Sequence, residues 1–211
     1  MSKLEELREL VIKGKSKKVP GLVTDCLNEG VDPTEILNYG MIGAMDVVGE
    51  KFKNNEIFVP EMLVAARAMK KGVDTLKPAL GAGNATSYGK YIIGTVAGDL
   101  HDIGKNLVAM MIESAGFEVI DLGVDVPKEK FVEAVQANPE CKVIGLSALL
   151  TTTMPAMKET VEALIEAGCK NQVKIMVGGA PITQEFADEI GADGYTADAA
   201  SAAQMAKALA Q

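Results

Sequence analysis

The 211-residue chain has a single histidine, and it stands in GDLHDIGKNL, where Asp99 and Asp102 flank His101 and Gly104 follows. A neutral imidazole ligates a transition metal through one ring nitrogen when the other donates its hydrogen to an acceptor that fixes tautomer and orientation. Asp99 is placed to be that acceptor. Gly104 permits close backbone approach to a bulky ligand before a helix begins at Lys105. One imidazole cannot hold a bare ion tightly, so a metal here must arrive inside a macrocycle that fills its other positions. The competing reading is a turn histidine solvated among aspartates, the commoner use of such a loop.

Other chemistries are restricted by composition. Cys26, Cys141 and Cys169 are far apart, odd in number and never in a CxxC pair, so they read as reduced thiols rather than disulfides or a zinc knuckle. A lone histidine excludes a multi-histidine metal centre. Net charge is −8 and the pI about 4.8, which argues against nucleic acid and against an anionic membrane surface. No apolar run approaches the roughly 20 residues of a membrane span. MSKLEELREL is a charged helix start rather than a signal peptide, and the expected location is the cytoplasm.

Two periodicities position these residues. From Leu4 to about Leu80 apolar residues recur at helical spacing and predict four helices in an antiparallel bundle. Leu4, Leu7 and Val11 mark the first, and Leu22, Val23, Cys26 and Leu27 the second. Asp32-Pro-Thr-Glu caps the third, whose stripe is Leu37, Met41, Ala44, Met45, Val48 and Phe52. Met62, Leu63, Ala66, Met69, Val73 and Leu76 mark the fourth. GAGNATSYG, Gly81 to Gly89, is small and polar and reads as a linker, giving a helical domain over 1–81, a linker over 82–89 and a second domain over 90–211.

Beyond it YIIGTV, FEVIDLG, KVIGLSA and VKIMVGG are short branched apolar runs. Helices are expected after them over Lys105–Ala115, Lys128–Ala137, Pro155–Ala167 and Gln184–Ile190. A fifth strand near Tyr195 and a helix over Asp198–Leu209 complete an α/β, doubly wound parallel sheet. Gly116, Gly168 and Gly191 fall at helix C-caps. Ligands of such sheets bind beyond the carboxyl ends of the strands, so GDLHDIG, SALLTTT and VGGAP are expected to border one crevice.

DLHDIG fits a DxHxxG pattern, Ser147-Ala148-Leu149 an SxL element and Gly178-Gly179 a GG element. With these spacings the chain resembles the cobalamin-binding family that includes the cobalamin module of methionine synthase and the small corrinoid proteins of methanogens and acetogens. The helical half resembles the bundle that caps the cofactor in that family. The resemblance implies a bound cobalamin, as methylcobalamin or a related corrinoid, with its benzimidazole displaced and His101 as lower axial ligand. Asp99 then hydrogen-bonds the imidazole. Asp102 counts with the cofactor-binding residues, its other reading being to cap the helix start. Gly104, Ser147, Leu149, Gly178 and Gly179 line the slot for the nucleotide tail, and Thr151 also contacts the cofactor. Thr153 stands where methionine synthase has a relay serine; threonine keeps the hydroxyl but adds a methyl and a stiffer rotamer. In GEKFKNNEIFVPE, Phe52, Val59 and Met62 match apolar residues covering the methyl group, the alternative being ordinary bundle core.

The function so implied is methyl carriage on cobalt, by a Rossmann-like subunit of a multi-component methyltransferase system rather than a complete enzyme. One substrate-specific methyltransferase would load it from a methylamine, a quaternary amine, methanol or a methoxylated aromatic. A second would pass the methyl to tetrahydrofolate or coenzyme M, and a reductive activator would rescue oxidised cobalt. The linker would let the helical cap swing away. Nucleic acid and membrane are not expected partners. The rival reading is a cobalamin-binding sensor, which usually carries an added DNA-binding segment, whereas residues 1–80 are consumed by the bundle. A flavodoxin-like domain for another nucleotide cofactor, with His101 incidental, is the third.

Overall fold

The computed structural model describes residues 2–80 and 88–211, so Gly81 to Ser87 of the expected linker lie outside the described residues. The chain divides into two compact units, the first of Met1–Ser87 with Ser114–Gly116 and the second of Tyr88–Glu113 with Phe117–Gln211. In the first, α1 (Lys3–Ile12) starts at a capping box, with Ser2 accepting from the Glu5 N–H at 3.2 Å and Glu5 accepting from the Ser2 N–H at 2.7 Å. α2 spans Val19–Asn28. Asp32 caps α3 (Pro33–Glu35) by accepting from the Thr34 and Glu35 N–H groups at 2.7 and 3.2 Å. α4 (Gly43–Lys53) and α5 (Val59–Leu80) complete the unit.

The third expected helix is not one α-helix. Between α3 and α4 the backbone widens into a π-helical stretch over Ile36–Ile42, closed by the Gly43 N–H donating to the Asn38 carbonyl. A side chain at Gly40 would sit 3.1 Å from both Leu4 and Leu7, so the glycine lets α1 lie close against this stretch. Leu7, Val11, Val23, Cys26, Met41, Met45, Val48, Met62, Met69 and Leu76 are all buried, as their helical spacing predicts.

The second unit is a five-stranded, all-parallel sheet in the order β2-β1-β3-β4-β5. Its elements run β1 (Lys90–Thr95), α6 (Ile103–Ser114), β2 (Glu118–Asp121), α7 (Lys128–Ala137), β3 (Cys141–Ser147), α8 (Met154–Glu166), β4 (Lys174–Gly178), α9 (Gln184–Ile190), β5 (Gly194–Tyr195) and α10 (Ala199–Leu209). Ile92, Ile144, Leu146 and Ile175 face a core completed by Phe131 and Val135 of α7 and Met157, Val161 and Leu164 of α8. On the opposite face Tyr91 meets Phe117 edge-on and lies against Gly145. Gly116, Gly168 and Gly191 have φ of 99°, 74° and 79°, the left-handed conformation expected where helices stop.

Strand order decides where a ligand can go. The chain leaves β1 for β2 on one side and reaches β3 on the other, so the crevice lies beyond the carboxyl ends of β1 and β3. There Thr95, Ser147 and Gly178 stand in register across three adjacent strands. The loops carrying DLHDIG, SALLTTT and GGAP therefore leave the sheet side by side.

A methyl added at Gly145 would land 2.2 Å from the Tyr91 hydroxyl oxygen, which lies deep in the sheet. Gly145→Ala is expected to lower stability by about 2–3 kcal/mol through overpacking, measured as a shift in the urea midpoint. Tyr91→Phe in the same chain should restore part of the loss, because the ring carbon that remains, 2.9 Å away, still needs to move.

Candidate functional site

The loop between β1 and α6 is built around one carboxylate. Asp99 is fully buried. Its Oδ1 accepts from the His101 backbone N–H at 3.0 Å and lies 2.7 Å from His101 Nδ1. Its Oδ2 accepts from the Leu149 N–H at 2.7 Å, the Leu150 N–H at 3.4 Å and the Thr153 hydroxyl at 2.8 Å. Burial pushes a carboxyl pKa up, but the N–H groups of Leu149 and His101, the imidazole and the Thr153 hydroxyl outweigh it. Asp99 is held well below the ordinary carboxylate range.

An ionised Asp99 can only accept, so Nδ1 of His101 carries a hydrogen, and in the neutral ring Nε2 is then the nitrogen with the free lone pair. The imidazole is half exposed, so Nε2 is the nitrogen left for a ligand. The Thr95 hydroxyl, itself buried, donates to the His101 carbonyl at 2.9 Å and fixes the backbone that carries the ring.

Beyond the ring, space has been left on the protein side. A Cβ at Gly104 would meet nothing within 4 Å, and Leu100, Ile103, Leu149 and Leu150 all leave apolar surface exposed, Ile103 as much as 86%. Exposed leucines and isoleucine gathered about one half-open imidazole are the lining of a binding surface, since water gains nothing from them. Gly179 closes the other motif: its φ is 136°, and a Cβ there would fall 1.8 Å from the Ala148 carbonyl oxygen. The SxL and GG turns therefore touch backbone to backbone.

DLHDIG and SALLTTT are thus joined through Asp99, and GG is joined to SAL through Gly179. Ser147 and Gly178 sit on the strand ends, Thr151 is exposed at the first position of the turn Thr151–Thr153, and Thr153 is buried against Asp99. Asp102 is exposed and accepts from the Asn106 side chain at 3.0 Å at the start of α6. Phe52 lies half-buried on α4, Val59 is exposed as the first residue of α5, and Met62 of α5 is fully buried.

Sequence reasoning missed Thr95, Leu150 and Asp125. Asp125 accepts from the Gly98 N–H at 2.7 Å through its side chain, and its own N–H donates to the Asp99 carbonyl at 2.9 Å. The only signal for it was an aspartate just before Val-Pro after the second strand, an ordinary turn composition.

Among the described residues no three His, Cys, Asp or Glu side chains gather as a metal cage. The cysteines are buried and unpaired, and burial pushes their thiols up, Cys141 to about 11, which makes them poor metal ligands. The donor set therefore suits a metal already held by other ligands: one imidazole nitrogen, an open glycine, an apolar rim and a glycine-lined turn. No helix of the described residues is long and apolar enough to cross a membrane.

Residues 89–204 match a family described as B12 binding domain, and residues 3–77 match a second family of that description. The chain is 46% identical over 214 residues to dimethylamine corrinoid protein 1 of Methanosarcina acetivorans, covering 99% of each. Among solved structures it resembles a cobalamin-binding protein from Desulfitobacterium hafniense, with 31% identity, a TM-score of 0.81 and 98% of each chain covered. It also resembles a chain of the methanol:cobalamin methyltransferase complex of Methanosarcina barkeri, with 30% identity and a TM-score of 0.85, covering 99% of this chain and 79% of that one.

Asp99→Ala leaves several buried donors without an acceptor and is expected to cost about 3 kcal/mol or more, whereas Thr153→Val removes a single donor and should cost about 1 kcal/mol. Urea midpoints of the apoprotein check the order. Because the folded-state pKa of Asp99 is depressed, its contribution is complete above the unfolded value of about 3.9 and is lost as pH falls below it. Asp99→Asn should therefore flatten the acid limb of stability against pH below about pH 4; an unchanged limb would show that Asp99 does not ionise differently on folding.

Proposed function

The chain belongs to the family of corrinoid proteins that carry methyl groups on cobalt, and we propose that its methyl donor is a methylated amine. It binds cobalamin, and its partner class includes a methyltransferase. The 46% identity to a dimethylamine corrinoid protein over nearly the whole of both chains supports an amine donor over methanol. By this reading a substrate-specific methyltransferase loads the protein, a second one removes the methyl to tetrahydrofolate or coenzyme M, and a reductive activator returns the cofactor to service after accidental oxidation.

The observation that carries the reading is the buried, ionised Asp99 holding Nδ1–H of the only histidine, so that Nε2 faces the open side. When bound, cobalamin supplies a cobalt centre that accepts a methyl group and gives it up. His101 Nε2 would be the protein nitrogen that holds the cobalt. Asp99 holds the ring's tautomer and orientation and keeps a hydrogen-bonded negative charge beside it. Thr153 donates to the far oxygen of the same carboxylate, so a change at the imidazole is felt at Thr153 and at the Leu149 N–H. Gly104, Ser147, Leu149, Thr151, Gly178 and Gly179 would accommodate the nucleotide tail, with Asp102 at the rim. Phe52, Val59 and Met62 of the helical unit are proposed to screen the reactive face. Of these Met62 is fully buried and would have to be uncovered to meet a ligand.

Two measurements test this. Protein labelled uniformly with nitrogen-15, loaded anaerobically with cobalamin and reduced to cobalt(II), should give an EPR nitrogen splitting of the labelled, doublet type, and His101→Ala should lose it. An unlabelled pattern in the wild type would mean that benzimidazole remains bound and would remove His101 as ligand. For the donor, the loaded protein should be methylated in the presence of a methylamine-type methyltransferase and its amine. Methylation only by the methanol enzyme would overturn the amine assignment.

A further inference from the structure

The parallel ladder between β1 and β2 stops at Ile93 and Asp121 and resumes at an isolated bridge between Val96 and Val126, so the β2 side carries two more residues than β1 can pair. The surplus is absorbed by Gly123 at φ 89° and by Asp125 at φ 51°, one of only two described non-glycine residues with positive φ. Left-handed backbone is unfavourable for a residue with a Cβ, least so for Asp and Asn. At Asp125 it turns the side chain toward the His101 loop. There the carboxylate accepts from the Gly98 N–H at 2.7 Å, while the Asp125 N–H donates to the Asp99 carbonyl at 2.9 Å.

The loop is thus gripped on both sides of Asp99. The flanking bonds tie the bulge to the strand end: the Thr95 N–H donates to the Gly123 carbonyl and the Val126 N–H to the Thr95 carbonyl, each at 3.0 Å. Thr95 in turn holds the His101 carbonyl. Gly98 has φ 81°, a backbone conformation that favours glycine, and directs its N–H at the Asp125 carboxylate. We propose that Asp125 is a positioning residue for the metal-ligating imidazole: by fixing the Gly98 N–H it sets the Asp99 carboxylate against His101 Nδ1. The inference rests on the assignment of His101 as ligand made above, and it extends the ligating machinery to the loop after β2, which carries none of the three motifs.

The chain's single histidine makes the test direct, because the imidazole nitrogen signals of labelled apoprotein belong to one residue. With the ring neutral, the wild type is expected to populate mainly the Nδ1–H form. Asp125→Gly relieves the backbone but removes the acceptor, and Asp125→Ala removes the acceptor and keeps the strain. Both should shift the ratio of Nδ1–H to Nε2–H forms by about fivefold, the loss of one charge-assisted bond. Asp125→Asn keeps an acceptor oxygen and tolerates left-handed backbone, so it should match the wild type. After loading with cobalamin and reduction to cobalt(II), the fraction with the imidazole nitrogen splitting should fall in Asp125→Gly and not in Asp125→Asn.

Unchanged imidazole signals in Asp125→Gly, with or without a lowered melting temperature, would overturn the proposal and leave Asp125 a stability residue. A shift of equal size in Asp125→Asn would also overturn it, since the acceptor would not be what matters. The apoprotein result stands apart from the ligand assignment: a wild type without imidazole splitting on cobalt refutes His101 as ligand whatever the tautomer ratio does.

Discussion

A carboxylate buried away from water has to be met by donors, and Asp99 is met on every side: by two N–H groups of the SxL turn, by the Thr153 hydroxyl, and by the backbone and ring of His101. This single charge explains why the imidazole is oriented, why the turn after β3 lies against the loop after β1, and why the first turn before α8 spends its hydroxyl away from helix capping. Removing it would release three segments at once.

The sheet supplies the frame that makes this meeting possible. Parallel strands end in a common plane, and the order β2-β1-β3-β4-β5 puts the strand ends that carry DLHDIG, SAL and GG next to one another. Glycine at 179 lets the third loop approach the second at backbone distance, where any Cβ would collide with Ala148. Function then follows from what the frame leaves open. A half-exposed imidazole whose inner nitrogen is engaged by Asp99, beside exposed apolar side chains, suits a large flat cofactor with one vacant metal position. That is the chemistry of a corrinoid carrier.

The helical stripes, the alternation of strands with helices and the caps at Asp32, Gly168 and Gly191 were legible because each depends on a local period or a local dihedral. The π-helical stretch over Ile36–Ile42 was not, since it arises from the close approach of α1 to Gly40, a tertiary contact that leaves the apolar spacing unchanged. Met62 carried a helical signal equally compatible with core and with a surface facing a ligand, and in the structure it is fully buried.

By itself the sequence determined the fold class, the single histidine as the candidate metal ligand, and the nearness of Asp99, because two residues of separation already confine an aspartate to the neighbourhood of the ring. Tertiary structure alone decided that Asp99 is buried and shared with Leu149, Leu150 and Thr153. It alone decided that Thr95 and Asp125 grip the same loop. Those partners come from β1, from the bulge after β2 and from the turn after β3. Hydrogen bonds between segments so distant in the chain depend on strand order and register, which a linear pattern of residue types does not encode.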